Sequence, residues 1–367
     1  MRKQPISPIT VAMPRILIVG SWTWPWYQQA CAEALESLGC EVHRASWFEY
    51  FCQWKRGSVE PVYLSDWHRL QNRLLLGPAI ERFNRDLLRR AVEVRPDIIW
   101  FYNPTHVTPS AIQSLRAALP RAVLAQYSND NPFGAKASKI LWRFVKRSIP
   151  LVDQHFVYRP SNIEEFRLAG ARRVDLLRSY YLPDTDRAIT LGPGDERFPC
   201  DVVFAGHYEE DGRLETLDAL ARSSYRVNVF GGGWSQADLK RHALQRQGSA
   251  SPVVGGDYRK AISGAKIALC FLSKINADSY TRRNFEIPAI GTFMLSEYSE
   301  DLAGLFKEGQ DCAFFRCRAE LLDKVAYYLK NVGERQRIAR SGHTRVQKDG
   351  HDVVSRMREF VGSIRTR

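Results

Sequence analysis

Asp278-Ser279-Tyr280-Thr281-Arg282-Arg283-Asn284-Phe285-Glu286-Ile287-Pro288-Ala289-Ile290-Gly291 sets two carboxylates, two guanidinium groups and three hydroxyls beside apolar residues. An apolar run, Ala268 to Leu272, precedes it, and a second, Gly291 to Leu295, follows, so the order reads strand, loop, helix, strand. The polar cluster therefore falls where a strand ends and a helix begins. That is the ligand edge of an open α/β sheet, and the unpaired N–H groups of a helix start favour anions. Two arginines at such an edge point to a phosphate or diphosphate. Arg282 and Glu286, at i and i+4, also allow a simpler reading, a surface ion-pair network. Asp278 and Glu286 are about 12 Å apart if the intervening chain is helical, too far to pair, so they would grip two ends of an elongated ligand. Pro288 predicts a kink or a late helix start.

The 367 residues are long for one core and predict two domains. No window approaches the ~18 unbroken apolar residues of a membrane span. Residues 1–13 read as a loose tail without the apolar core of a secretory signal, and Met13 is a candidate start. Seven cysteines, none in a Cys-x-x-Cys pair, suggest reduced thiols, and Cys312 with Cys317 lacks the second pair a zinc site needs. The net charge of +13 favours an anionic partner. No finger, RNP-type strand or heptad repeat accompanies that charge, which argues against nucleic acid. Arginines crowd at 82, 85, 89, 90 and 95. A second basic run, Lys136, Lys139, Arg143, Lys146 and Arg147 with Trp142 and Phe144, suggests peripheral contact with an anionic membrane.

From the N-terminal side, Arg15 to Gly20 reads as a buried strand, Gln28 to Leu38 as a helix closed by Gly39, and Glu41 to Ala45 as a parallel strand. The loop Gly20-Ser21-Trp22-Thr23-Trp24-Pro25-Trp26 lacks G-x-G-x-x-G, so a dinucleotide is not expected there. Its tryptophans suit sugar stacking, lipid headgroups or packing between domains. Residues 47–95 show no clear strand. Strands Pro96 to Tyr102 and Ala122 to Tyr127 end in loops carrying His106 and Asp130, which are expected to face one cleft unless Asp130 and Asn131 only cap turns. Gly192-Pro193-Gly194 marks the domain boundary. A second β-α-β series begins at Cys200, with Gly206 to Arg213 as its first loop.

The runs Ser128-Asn129-Asp130-Asn131-Pro132-Phe133, Gly206-His207-Tyr208-Glu209-Glu210-Asp211-Gly212-Arg213 and 278–291 resemble GT-B glycosyltransferases related to the spore-protein CgeB group. They are more distantly similar to the large retaining group with an acidic residue, seven spacers and a Glu, here Asp278 to Glu286, with Asp where the relatives usually have Glu. The resemblance implies two Rossmann-like domains facing across a cleft: an acceptor domain over 14–190, a donor domain over 198–350, and a C-terminal helix over 351–367 that crosses back. It implies transfer of a sugar from a nucleoside diphosphate sugar to a hydroxyl acceptor in polysaccharide biosynthesis, in the cytoplasm or at the inner membrane face, without cofactor or metal. Arg213 and Arg282 would stabilise the leaving diphosphate, and His106 or Asp130 would contact sugar or acceptor. Gly206, His207, Tyr208, Asp278, Tyr280, Thr281, Arg283 and Glu286 would hold the donor, Glu286 at the ribose and Asp278 at the sugar. Asp184-Thr185-Asp186 matches the D-x-D of GT-A enzymes, but its place before the Pro/Gly cluster suits an interdomain crossing. A UDP-sugar epimerase of the same shape, or an inactive nucleotide-sugar-binding protein, are the other readings.

Overall fold

The computed structural model describes residues 13–55, 60–234, 243–244 and 251–364; residues 1–12 of the expected tail lie outside them. The strands, in chain order, are β1 (Arg15–Gly20), β2 (Glu41–Ser46), β3 (Cys52–Gln53), β4 (Val62–Tyr63), β5 (Ile98–Tyr102), β6 (Val123–Ser128) and β7 (Gln154–Val157). They continue with β8 (Val174–Leu176), β9 (Cys200–Ala205), β10 (Val227–Phe230), β11 (Ala265–Cys270), β12 (Phe293–Glu297) and β13 (Ala313–Phe315). β5 and β6 are buried along their whole length, as parallel strands covered on both faces must be. The stretch 47–95 holds the small antiparallel β3–β4 ribbon and the helices Asp66–Leu74 and Pro78–Val94.

One parallel sheet has the order β2-β1-β5-β6-β7-β8 and the other β10-β9-β11-β12-β13. In each, the chain reverses its direction of travel beside a central strand, between β1 and β5 and between β9 and β11. Such a reversal opens a crevice at the carboxyl ends of the strands. The two crevices meet. Arg282 Nη1 donates to the carbonyl of Trp26 at 2.9 Å, the Tyr280 hydroxyl to that of Tyr158 at 2.9 Å, and Arg159 Nε to Asp278 at 2.6 Å.

The final helix, Val353–Ser363, starts on an Asp352 cap and lies against the helix Ala30–Ser37 of the first sheet's layer. Its Phe360 stacks on Trp100 of β5 with centroids 4.3 Å apart and meets Phe156 of β7 at 4.9 Å. Tyr181 of the crossing segment holds its start, with backbone bonds to His351 and Val353. The second basic run needs a correction: Trp142 and Phe144, expected on a lipid-facing surface, are buried, with Phe144 in the core under the first sheet.

Phe360→Ala is expected to cost about 3 to 5 kcal/mol in urea unfolding, as for other buried aromatic truncations. A loss below about 1 kcal/mol would mean that this helix does not share the core.

Candidate functional site

Arg282, the residue before the helix Arg283–Ile290, is held on three sides. Besides the Trp26 carbonyl it reaches Asp186 at 3.4 Å, and its Nε lies 2.7 Å from Glu286, although the N–H does not point along that contact. Glu286 also accepts from the Tyr258 hydroxyl at 2.9 Å. The i, i+4 pair foreseen as a surface network is therefore a nearly buried hub joining both sheets and the crossing segment. Asp186 accepts from the Leu182 amide at 2.7 Å, so the Asp184-Thr185-Asp186 run faces the hub. Burial, then the charge of Glu286, pushes the Asp186 carboxyl from an ordinary 3.8 up to about 6, against the pull of Arg282.

A second cluster crosses the cleft. Arg159, fully buried at the end of β7, pairs with Asp278, and its Nη1 has no partner. Asp130 is exposed to the cleft by area yet enclosed by both walls. That enclosure raises its carboxyl pKa, while Arg159 and the Asn103 amide, at 3.4 Å, act the other way. Asn131 Nδ2 donates to the carbonyl of Asn276 at 3.3 Å and ties the same two loops. The hydroxyl of Tyr27, in the tryptophan loop, feels Arg282, Asp130 and Glu286.

At the carboxyl ends of β9 and β10 two glycine loops touch. A Cβ on Gly231, where φ is +147°, would sit 1.9 Å from the carbonyl oxygen of Gly206. Only glycine fits there. A Cβ on Gly206 would in turn lie 3.4 Å from the guanidinium carbon of Arg283. Arg283 opens the helix, whose next amides are already taken: Asn284 donates to the Thr281 carbonyl at 3.0 Å, and Phe285 and Glu286 to that of Arg282 at 2.9 and 3.1 Å. The Nε of Arg283 is buried and unpaired, and among the described residues no carboxylate forms an ion pair with it. Burial acts first on its charge, then the Cys270 thiol, which also hydrogen-bonds it, and the Tyr258 hydroxyl, both ahead of Glu286. His207 sits exposed at the lip, its imidazole pushed toward the neutral form by partial burial and by Arg283.

Several expected site residues lie elsewhere. His106 is buried in the core, stacked on Trp47 at 5.1 Å, with Nε2 on Asn72 at 2.6 Å and Nδ1 on Thr105 at 2.9 Å. Burial lowers its pKa to about 3, so it is a satisfied neutral core histidine. Arg213 is buried, and Asp211 and the His207 carbonyl take its guanidinium, so it braces the 206–213 loop instead of facing an anion. Tyr280 is fully buried, stacked on Tyr158 at 4.4 Å, and its hydroxyl accepts from the Ser179 amide and donates to the Tyr158 carbonyl. Thr281 is buried against the thiol of Cys270, and Tyr208 packs on Trp234. The charge of Asp278 is answered by Arg159 and that of Arg282 by two carboxylates, which leaves Asp130 and His207 exposed and Arg283 without a carboxylate in contact among the described residues.

Residues 213–362, less than half of the chain, match a family model described as glycosyl transferase-like. Sequence comparison with curated proteins gives no match. HepE from Anabaena, in complex with UDP-glucose, superposes with a TM-score of 0.66 at 13% identity, over 96% of this chain and 100% of that one. Sucrose-phosphate synthase from Thermosynechococcus elongatus superposes at 0.67 and 10% identity, over 94% and 97%. OtsA superposes at 0.62 and 13% identity, over 95% and 98%. The fold is GT-B.

In this GT-B cleft the sequence reading overlooked Arg159 and Tyr258. Arg159 carried a signal, a charged residue between the end of a strand and a Pro at the first helical position. Tyr258 carried none, since its contact with Glu286 depends on the packing of two helices.

Because the folded state holds the Asp186 proton more tightly than the unfolded chain does, this group's stabilisation is complete below pH 3.8 and is lost as pH rises through about 6. Asp186→Asn should remove that part of the slope in urea unfolding between pH 4 and about 6, and unchanged slopes would contradict the account.

Proposed function

We propose that the chain transfers a sugar from a nucleoside diphosphate sugar to a hydroxyl acceptor, with retention of configuration and without a metal. The observation that supports it best is Arg283: a guanidinium with a buried, unpaired Nε at a helix start, against the glycine loop of Gly206. A cation left without a carboxylate in contact is costly unless an anion meets it in use. A diphosphate fits that charge. As the acceptor oxygen bonds to C1, the bond from C1 to the diphosphate breaks, negative charge grows on the departing phosphate, and the acceptor's proton passes to that phosphate. Arg283 would stabilise the charge there.

Glu286 would take the ribose hydroxyls, since one of its oxygens meets Arg282 and the other Tyr258, each with a lone pair to spare. Arg159, fixed by Asp278, and Asp130 would face the sugar and the acceptor hydroxyl. The Ser128–Phe133 and Gly206–Arg213 runs support a place with the CgeB group, and a cytoplasmic enzyme of polysaccharide biosynthesis fits that place. Among the described residues no helix is long and apolar enough to cross a membrane.

UDP, GDP or dTDP at millimolar concentration should raise the melting temperature, with EDTA present as well as absent. Arg283→Ala should lower nucleotide affinity about ten- to a hundredfold, the loss of one charge-assisted hydrogen bond or two. Unchanged affinity in the variant would remove the diphosphate assignment. Incubation with the donor alone separates the epimerase reading, because an epimerase forms an epimer and a transferase gives slow hydrolysis only.

A further inference from the structure

The helix Asp66–Leu74 is turned the wrong way round for a surface helix of a globular protein. Its polar residues face inward: Gln71 is buried and accepts from the Ala79 amide at 2.8 Å, and Asn72 meets His106 at 2.6 Å and Tyr63 at 3.0 Å. Its apolar residues face outward. Trp67 is 57% exposed, Leu70 45% and Leu74 37%, at i, i+3 and i+7 on one face. Leu76, also exposed, extends the patch. Arg143 donates to the carbonyl of Leu75 and brings a second exposed apolar pair, Ile140 and Leu141, to the same side. Among the described residues nothing buries this stripe.

Charge decides what does. Arg69 and Arg73 are exposed on the same helix, and Lys136 and Lys139 are exposed just ahead of Ile140. Asp66 is the only acidic residue in 61–80, and 131–152 has none. A second copy docked on a two-fold axis would set these cations against themselves. An anionic bilayer answers both halves of the pattern, the stripe entering the acyl boundary and the cations meeting headgroups. We propose that the outward face of Asp66–Leu74, with the Lys136–Leu141 segment beside it, docks the protein on an anionic lipid surface. This locates membrane contact away from Trp142 and Phe144, and it stands whether or not the cleft transfers a sugar.

Flotation of the full chain with vesicles of phosphatidylcholine, with and without phosphatidylglycerol, tests it. The protein should float with the anionic vesicles, less so as salt rises. Trp67→Ser with Leu70→Gln and Leu74→Gln should weaken that partition about tenfold or more with the melting temperature kept, since all three side chains are exposed. Lys136→Glu with Lys139→Glu should weaken it on anionic vesicles. No flotation, or equal flotation of the triple variant, overturns the proposal. So does a lipid-free dimer of the wild-type chain that the triple variant dissociates, because the face would then be a self-association surface.

Discussion

A guanidinium taken out of water must be answered by charge, and Arg282 is answered from three parts of the chain at once. Glu286 stands one turn along its own helix, Asp186 on the crossing segment, and the Trp26 carbonyl in the first sheet's tryptophan loop. Loss of the arginine would leave two carboxylates in a nearly buried site, a change that typically costs about 3 to 5 kcal/mol. The geometry of the cleft follows from this hub. It pins the loop after β1 to the helix after β11, while Arg159 with Asp278 pins the loops after β7 and β11 a short way off. Tyr280, stacked on Tyr158, and Phe360, stacked on Trp100, extend the same clamp into the apolar core.

Around the cleft, those contacts leave one arginine of the described residues without a carboxylate. Arg282, Arg213 and Arg159 each have a carboxylate in contact. Arg283 does not, and it sits beside Gly206, where the two glycine loops pack together. On the proposed reading the balanced arginines are the rigid frame and the unbalanced one is the binding group. Fixed charge of that kind stabilises a developing phosphate without reorganising at the moment of reaction.

The architecture was legible because parallel strands buried on both faces appear as unbroken apolar runs, such as Ile98 to Tyr102, and because breakers such as Gly39 and Gly291 close the helices between them. The place of the cleft was legible for the same reason, since strand ends and helix starts can be read from that alternation. Roles within it were harder. Arg282 and Arg283 are adjacent and chemically identical, and only the position of Asp186, distant in sequence, shows which is already neutralised. His106 looked like a cleft residue because it follows a strand, but Asn72 and Trp47, both in the stretch that resisted reading, draw it into the core. The helix Asp66–Leu74 has an amphipathic pattern that cannot say which face is buried. Gln71 and Asn72 settle that only once their partners are in place.

The most direct measurement is a crystal structure of the protein with UDP bound. The account predicts the diphosphate at the start of the helix Arg283–Ile290, its oxygens within hydrogen-bond reach of the Arg283 guanidinium, with Arg282 still held by Asp186 and Glu286. A diphosphate bound away from Arg283, or one that draws Arg282 out of its carboxylates while Arg283 stays unpaired, would contradict it.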